Sequence, residues 1–163
     1  MKNVTLIVTS TFGLEAVVKK ELITFGFENL IISDGRVEFK AKLGDIPRLN
    51  IWLRSADRVL LKLAEFKATD FDQLFDQTKA LPWADWIPQD GKITVTGKSI
   101  KSILQSVRSN QSIVKKAIIK KMQERFNQER FPETGAEFVI QVSLLKDIAQ
   151  LTLDTSGSGL HKR

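Results

Sequence analysis

Leu30-Ile-Ile-Ser33-Asp34-Gly35-Arg36-Val-Glu-Phe-Lys40 holds two short β-rich runs on either side of Asp34-Gly35. An Asp-Gly pair between such runs is a strong hairpin signal, because glycine accepts the positive φ that a two-residue turn demands. On its N-terminal side, Leu14, Val17, Val18, Leu22 and Phe25 follow helical spacing, Gly26 supplies a stop, and residues 4–9 read as a strand. On its C-terminal side, Asp45-Ile46-Pro47 opens a helix with proline in the first turn, and Leu49, Trp52 and Leu53 form its apolar face. Residues 59–66 close as a strand. The resulting order is β-α-β-β-α-β.

That order is the ferredoxin-like motif, assigned here to residues 1–67. From residue 68 to 155 the order changes. Thr69 or Asp70 caps a helix carrying Phe71, Leu74, Phe75 and Leu81. Pro82 and Pro88 bracket Trp83 and Trp86. Residues 92–96 read as a strand and residues 106–126 as a long helix, with Val107, Val114, Ile118 and Met122 inward. Phe138, Ile140, Val142 and Leu144 alternate as a strand, and Lys146-Asp147 turns into another strand at 148–153. Thr155-Ser156-Gly157-Ser158-Gly159 reads as a flexible linker, and residues 156–163 lead toward a further domain or form an ordinary terminus. The fold class is α+β.

The 163 residues are 42% hydrophobic and 27% charged, as expected of a globular protein. No cysteine is present, which excludes disulfides, thiolate catalysis and cysteine zinc sites. His161 is the single histidine, too few for a histidine metal site. No stretch reaches the roughly 18 apolar residues of a membrane helix, so the expectation is a cytoplasmic protein away from membranes. The net charge is +6, and residues 98–130 alone carry +7. Clustering of this kind is an electrostatic footprint for a polyanion, although a lysine-rich solvated helix gives the same count.

Catalytic signals are absent from the sequence. There is no Gly-x-Gly-x-x-Gly after a strand, no P-loop, no His-Glu-x-x-His and no nucleophile elbow. Ser156-Gly157-Ser158-Gly159 has no helix behind it. The four prolines are isolated, so the Pro-Pro-aromatic loop of exocyclic-amine methyltransferases has no counterpart. Asp72 and Asp76 share a helix face without a third ligand and read as solvated. A ferredoxin-like acylphosphatase would need a phosphate-cradling loop that this sequence lacks.

Binding signals concentrate in Lys98-Ser99-Ile-Lys101-Ser102-Ile-Leu-Gln105-Ser-Val-Arg108-Ser-Asn-Gln111-Ser112-Ile-Val-Lys115-Lys116. These side chains donate hydrogen bonds to phosphate and sugar oxygens. The segment runs from a strand end into a helix N-terminus, where backbone N–H groups favour an anion. On a helical wheel Ser109, Ser112, Lys116 and Lys120 fall together, with Arg108 and Lys115 on a flank. Serines at a helix start are more often caps than ligands. Lys121 and Arg125 project on the apolar side and are weaker candidates. Trp83 and Trp86 either stack bases or pin their segment to the core. No interleaved basic-aromatic platform is present, so backbone or shape recognition of RNA fits better than base-by-base reading.

Several stretches are similar to those of THUMP-containing methyltransferases. They are Phe12-Gly13-Leu14-Glu15 with Lys19-Lys-Glu21-Leu22, Leu81-Pro-Trp83 with Trp86-Ile-Pro88, Lys92-Ile-Thr-Val-Thr-Gly-Lys98-Ser99, the run from Ser102 to Ala117, and Gly159-Leu-His161-Lys-Arg163. The chain most resembles the N-terminal region of bacterial rRNA guanine-N2 methyltransferases, a group often labelled N6-adenine-specific DNA methylases. The resemblance implies a ferredoxin-like subdomain, a THUMP domain at 68–155, and a linker at 156–163 to a methyltransferase domain that would bind S-adenosylmethionine. It implies RNA contacts at Lys98, Ser99, Lys101, Arg108, Lys115 and Lys116, to which the reading of the basic segment adds Ser102, Ser112 and Lys120 as candidates. No cofactor or catalytic motif carries over to this chain. The implied partners are structured RNA (23S rRNA) and the methyltransferase domain in cis. A module that docks the catalytic domain or the ribosome, anchored by Trp83 and Trp86, is the alternative. Basic patches do not read identity, so the modified nucleotide and the choice between rRNA and tRNA stay open.

Overall fold

The computed structural model describes residues 3–156. The glycine-rich end and the Gly159-to-Arg163 run lie outside the described residues. The chain forms two compact units, one running to Lys62 and resuming at Asp154, the other spanning Leu63–Leu153.

The first unit is built as its order requires. Strands β1 (Asn3–Thr9), β2 (Ile31–Ser33), β3 (Arg36–Lys42) and β4 (Arg58–Lys67) lie in the order β2-β3-β1-β4. β3 runs antiparallel to β2, with Ser33 opposite Arg36 across the Asp34-Gly35 turn. Gly35 has φ +73, the conformation that made the dipeptide a signal. Helix α1 (Glu15–Thr24) buries Val18 and Leu22, and Gly26 follows it at φ +94. Its first carboxylate, Glu15, accepts the Gly35 and Gly13 N–H groups, which hold its pKa below the usual range. Leu14 and Val17 are exposed instead of inward, and Phe27, beyond the helix, fills the core.

Helix α2 (Asp45–Trp52) buries Leu49, but Trp52 is 59% exposed, against expectation. The helix ends at Trp52 and Leu53 turns extended, with ψ 132. Leu53 therefore drops into the core while Trp52 is left on the outside.

In the second unit the order from the end of β4 is β7-β6-β5, so β5 (Lys92–Ile100) is an edge strand. β5 is parallel to β6 (Glu137–Leu145), and the connection carries the long helix α4 (Val107–Phe126), as a parallel pair requires. β6 and β7 (Ile148–Asp154) form a hairpin through Lys146-Asp147, both at positive φ. Asp70 caps α3 (Phe71–Lys79) by accepting from the Gln73 N–H. α3 packs on α4. Trp83 opens a short 3-10 turn (Trp83–Asp85), is fully buried, and donates its indole N–H to the Thr78 carbonyl at 2.7 Å. Trp86 stands edge-on to it at 5.8 Å. Trp83 is thus a core residue, and its assignment as an anchor for a docking partner is corrected: no ring face is open to a partner.

Candidate nucleic-acid interface

α4 has two sides. Asn110, Val114, Ala117, Ile118 and Met122 are buried, as the apolar periodicity required. Gly97 makes close packing against β5 feasible: a Cβ there would lie 3.2 Å from the Val142 side chain and 3.3 Å from Gln111. The opposite side of α4 faces a groove of about 940 Å³. Arg108, Ser112, Lys115, Lys116 and Lys120 line it from the helix, Phe75 and Lys79 from α3, and Lys92, Ile93, Thr94 and Val95 from the strand. The lining holds six cations and no carboxylate. Phe75, Ile93, Val95 and Ile119 add apolar surface.

Three of those cations are in ion pairs, and a fourth, Lys120, lies near enough to Glu124 for its charge to act on it. Lys79 meets Glu124 at 2.8 Å, and its hydrogen bond is the chief reason that Glu124 titrates below the usual carboxylate range. Lys92 and Lys115 lie 4.0 Å from Glu137 and Glu133. Arg108, Lys116 and Lys120 make no ion pair among the described residues. Unpaired cations converging on a groove attract an anionic chain.

The remaining four sequence candidates lie outside the groove lining. Gly97 faces α4, so Lys98 projects from the other face of β5, which it shares with Lys92 and Thr94, and it lies beyond the stretch Lys92 to Val95 that lines the groove. Ser99 donates its hydroxyl to the Leu104 carbonyl at 2.8 Å. Lys101 is exposed at φ +49 in the loop after β5. Ser102 is 8% exposed, donates to the Ile100 carbonyl and accepts the Asp147 N–H. The bond from Asp147 ties this loop to the β6–β7 turn, and with both bonds made its hydroxyl is not presented to a ligand. Ile100, Ile103, Leu145 and Ile148 lie exposed around that junction. At the start of α4, Ser106 accepts the Ser109 N–H, the cap reading of those serines.

Sequence reasoning missed Lys79 and Lys92. Both sit in the acidic stretch 66–97, and they join the groove only because α3 and β5 flank α4. Among the described residues, no helix is long and apolar enough to cross a membrane, and no cluster of metal-binding side chains occurs.

Comparison with known proteins places residues 5–60 in the RlmL ferredoxin-like domain and residues 68–154 in the THUMP domain. YpsC of Bacillus subtilis, named as a candidate RNA methyltransferase, is 49% identical over 165 residues, taking in 100% of this chain and 43% of YpsC. Ribosomal RNA large subunit methyltransferase K/L of Syntrophotalea carbinolica is 31% identical over 158 residues, covering 95% of this chain and 22% of that protein. The crystal structure of SMU.472, a candidate methyltransferase complexed with SAH, matches with a TM-score of 0.91 and 42% identity, over 98% of this chain and 43% of that one. The chain spans less than half the length of each.

Proposed function

Because the chain belongs to the THUMP-domain family, with an RlmL-type ferredoxin-like domain ahead of it, we propose that it is the RNA-targeting module of an S-adenosylmethionine-dependent rRNA methyltransferase. On this reading residues 1–67 and 68–155 are its two domains, and 156–163 lead to a catalytic domain in cis. The RNA is structured large-subunit rRNA, in keeping with the name of the K/L relative. Methylation at guanine N2 follows from the family resemblance of the sequence.

The observation that carries the reading is the groove with six cations and no carboxylate. Phosphates would sit on Arg108, Lys115, Lys116 and Lys120, with Ser112 as a neutral donor, while Phe75 and Ile119 offer surface to sugars or bases. Lys98 and Lys101 would reach a longer RNA only away from the groove. S-adenosylmethionine does not fit here. Its sulfonium is a cation facing six others, and among the described residues no glycine-rich loop opens onto a helix. The cofactor would belong to the catalytic domain.

A salt titration of binding to structured rRNA fragments, with duplex DNA of equal length as control, tests the reading. The variant Arg108→Ala/Lys116→Ala/Lys120→Ala is expected to weaken RNA binding and lower the slope of log affinity against log salt by about three, one per phosphate contact. A triple variant that binds as wild type does removes the groove as the RNA site. A second reading then takes its place: docking of the catalytic domain or ribosome on the exposed Ile100, Ile103, Leu145 and Ile148.

A further inference from the structure

Thr155 and Ser156 look like the start of a Ser/Gly spacer, yet Ser156 is only 4% exposed. Its Oγ accepts the Val59 N–H at 2.7 Å and donates to Asn50 Oδ1 at 2.7 Å. Asn50 Nδ2 donates to Thr155 Oγ1 at 3.1 Å and to the Ile46 carbonyl within α2 at 3.0 Å. The Thr155 hydroxyl and N–H both donate to the Val59 carbonyl. The Ser156 N–H donates to Asp154, whose carboxylate is paired with Arg58. All of these groups belong to the first unit. A spacer needs none of this: burying the Ser156 hydroxyl and half-burying the Thr155 hydroxyl and the Asn50 amide is costly unless each finds partners. A polar network whose members are paired specifies one geometry.

We propose that Asn50 is a positioning residue. With Thr155 and Ser156 it clasps the chain onto the ferredoxin-like unit, so that a downstream catalytic domain starts from a fixed direction. This rests on the reading above of a targeting module joined in cis to a methyltransferase. A free tether would spread the catalytic domain over many orientations relative to bound RNA. A clasped one keeps the reacting groups near one another, which raises their effective concentration.

The test uses the full-length protein with Asn50→Ala, Ser156→Ala or Ser156→Thr. Methyl transfer to a structured rRNA fragment, RNA Kd, and amide exchange at Val59 and Thr155 are measured together. Both alanine variants are expected to lower kcat about tenfold, the scale of loss when reacting groups are slightly misplaced. RNA Kd and the KM for S-adenosylmethionine stay within about twofold, since binding is not what was removed. Ser156→Thr keeps the hydroxyl and is expected to retain turnover. Should Asn50→Ala not fold, Ser156→Ala carries the test. Wild-type turnover in variants whose Val59 and Thr155 amides exchange faster overturns the proposal. So does a fall in kcat matched by an equal loss of RNA affinity, which marks general damage. A wild-type protein that binds RNA but transfers no methyl group overturns the functional reading first and the clasp's role with it.

Discussion

α4 and the end of β5 carry basic residues at similar density, but the two elements dispose of them differently. On α4, positions 108, 112, 115, 116 and 120 return to one side of the helix and share a groove with Lys79 and Lys92. On β5, Lys98 shares a strand face with Lys92 but lies further along, outside the groove lining, and Lys101 lies beyond the strand in a loop. A run of nine basic residues in 33 positions is therefore not one surface. Which cations act together depends on the period of the element that carries them and on where along it they lie. Within α4 itself the same period separates binding from stability, because the side opposite the groove holds Val114, Ala117, Ile118 and Met122.

The largest expected effect comes from that buried side. Ile118 is fully buried, and Ile118→Ala is expected to lower the unfolding free energy by about 2–5 kcal/mol. Urea unfolding measures this. RNA affinity below the transition should be unchanged, and a parallel loss would show that the two sides of α4 are not independent.

A smaller effect sharpens the contrast between helix and strand end. Lys98→Ala/Lys101→Ala is expected to lower the salt slope of RNA binding by less than about one, because neither residue lines the groove. Isothermal titration at several salt concentrations measures this beside the groove variant. A loss per residue equal to that of Arg108, Lys116 and Lys120 would mean that the RNA wraps the edge of β5 and touches both faces.

The features legible in the sequence were local ones. Asp34-Gly35, Pro47, the Asp70 cap and Lys146-Asp147 each carry their turn or helix start in their own chemistry, and each forms as read. The helical wheel of α4 grouped Ser112, Lys116 and Lys120 with Ser109 and put Arg108 and Lys115 on a flank, and of these all but Ser109 line the groove. The misreadings came wherever position depended on something distant. Trp52 fits the apolar spacing of α2, but the helix ends there and only Leu53 goes inward. Ser102 looks like a donor for phosphate until the β6–β7 turn, some 45 residues on, takes its hydroxyl. Ser156 looks like a spacer until Asn50 and Val59 claim it. Lys79 and Lys92 reach the groove through packing between elements, which no local pattern encodes.

The smallest effect concerns a carboxylate of the first unit, whose role contrasts with that of Glu124 beside the groove. Glu21 on α1 is partly buried, which pushes its pKa up. The Ser55 hydroxyl, the Arg54 and Ser55 N–H groups and the Arg54 charge outweigh this and hold it below the ordinary 4.5. Between the lowered folded value and 4.5 the unfolded chain binds more protons than the folded one, so stability rises with pH there. The contribution of Glu21 is thus present above pH 4.5 and is lost as pH falls through the folded value. Glu21→Gln is expected to flatten this acid limb and to cost below about 1 kcal/mol at neutral pH, the scale of partly exposed charged pairs. Thermal unfolding from pH 3 to 7 measures it. RNA affinity at neutral pH should not change, since no groove residue touches Glu21. Glu124→Gln, which frees Lys79 from its 2.8 Å partner, is the counterpart whose effect falls on the groove. An acid limb unchanged by Glu21→Gln would mean that the bonds to Arg54 and Ser55 form equally well with a protonated carboxyl.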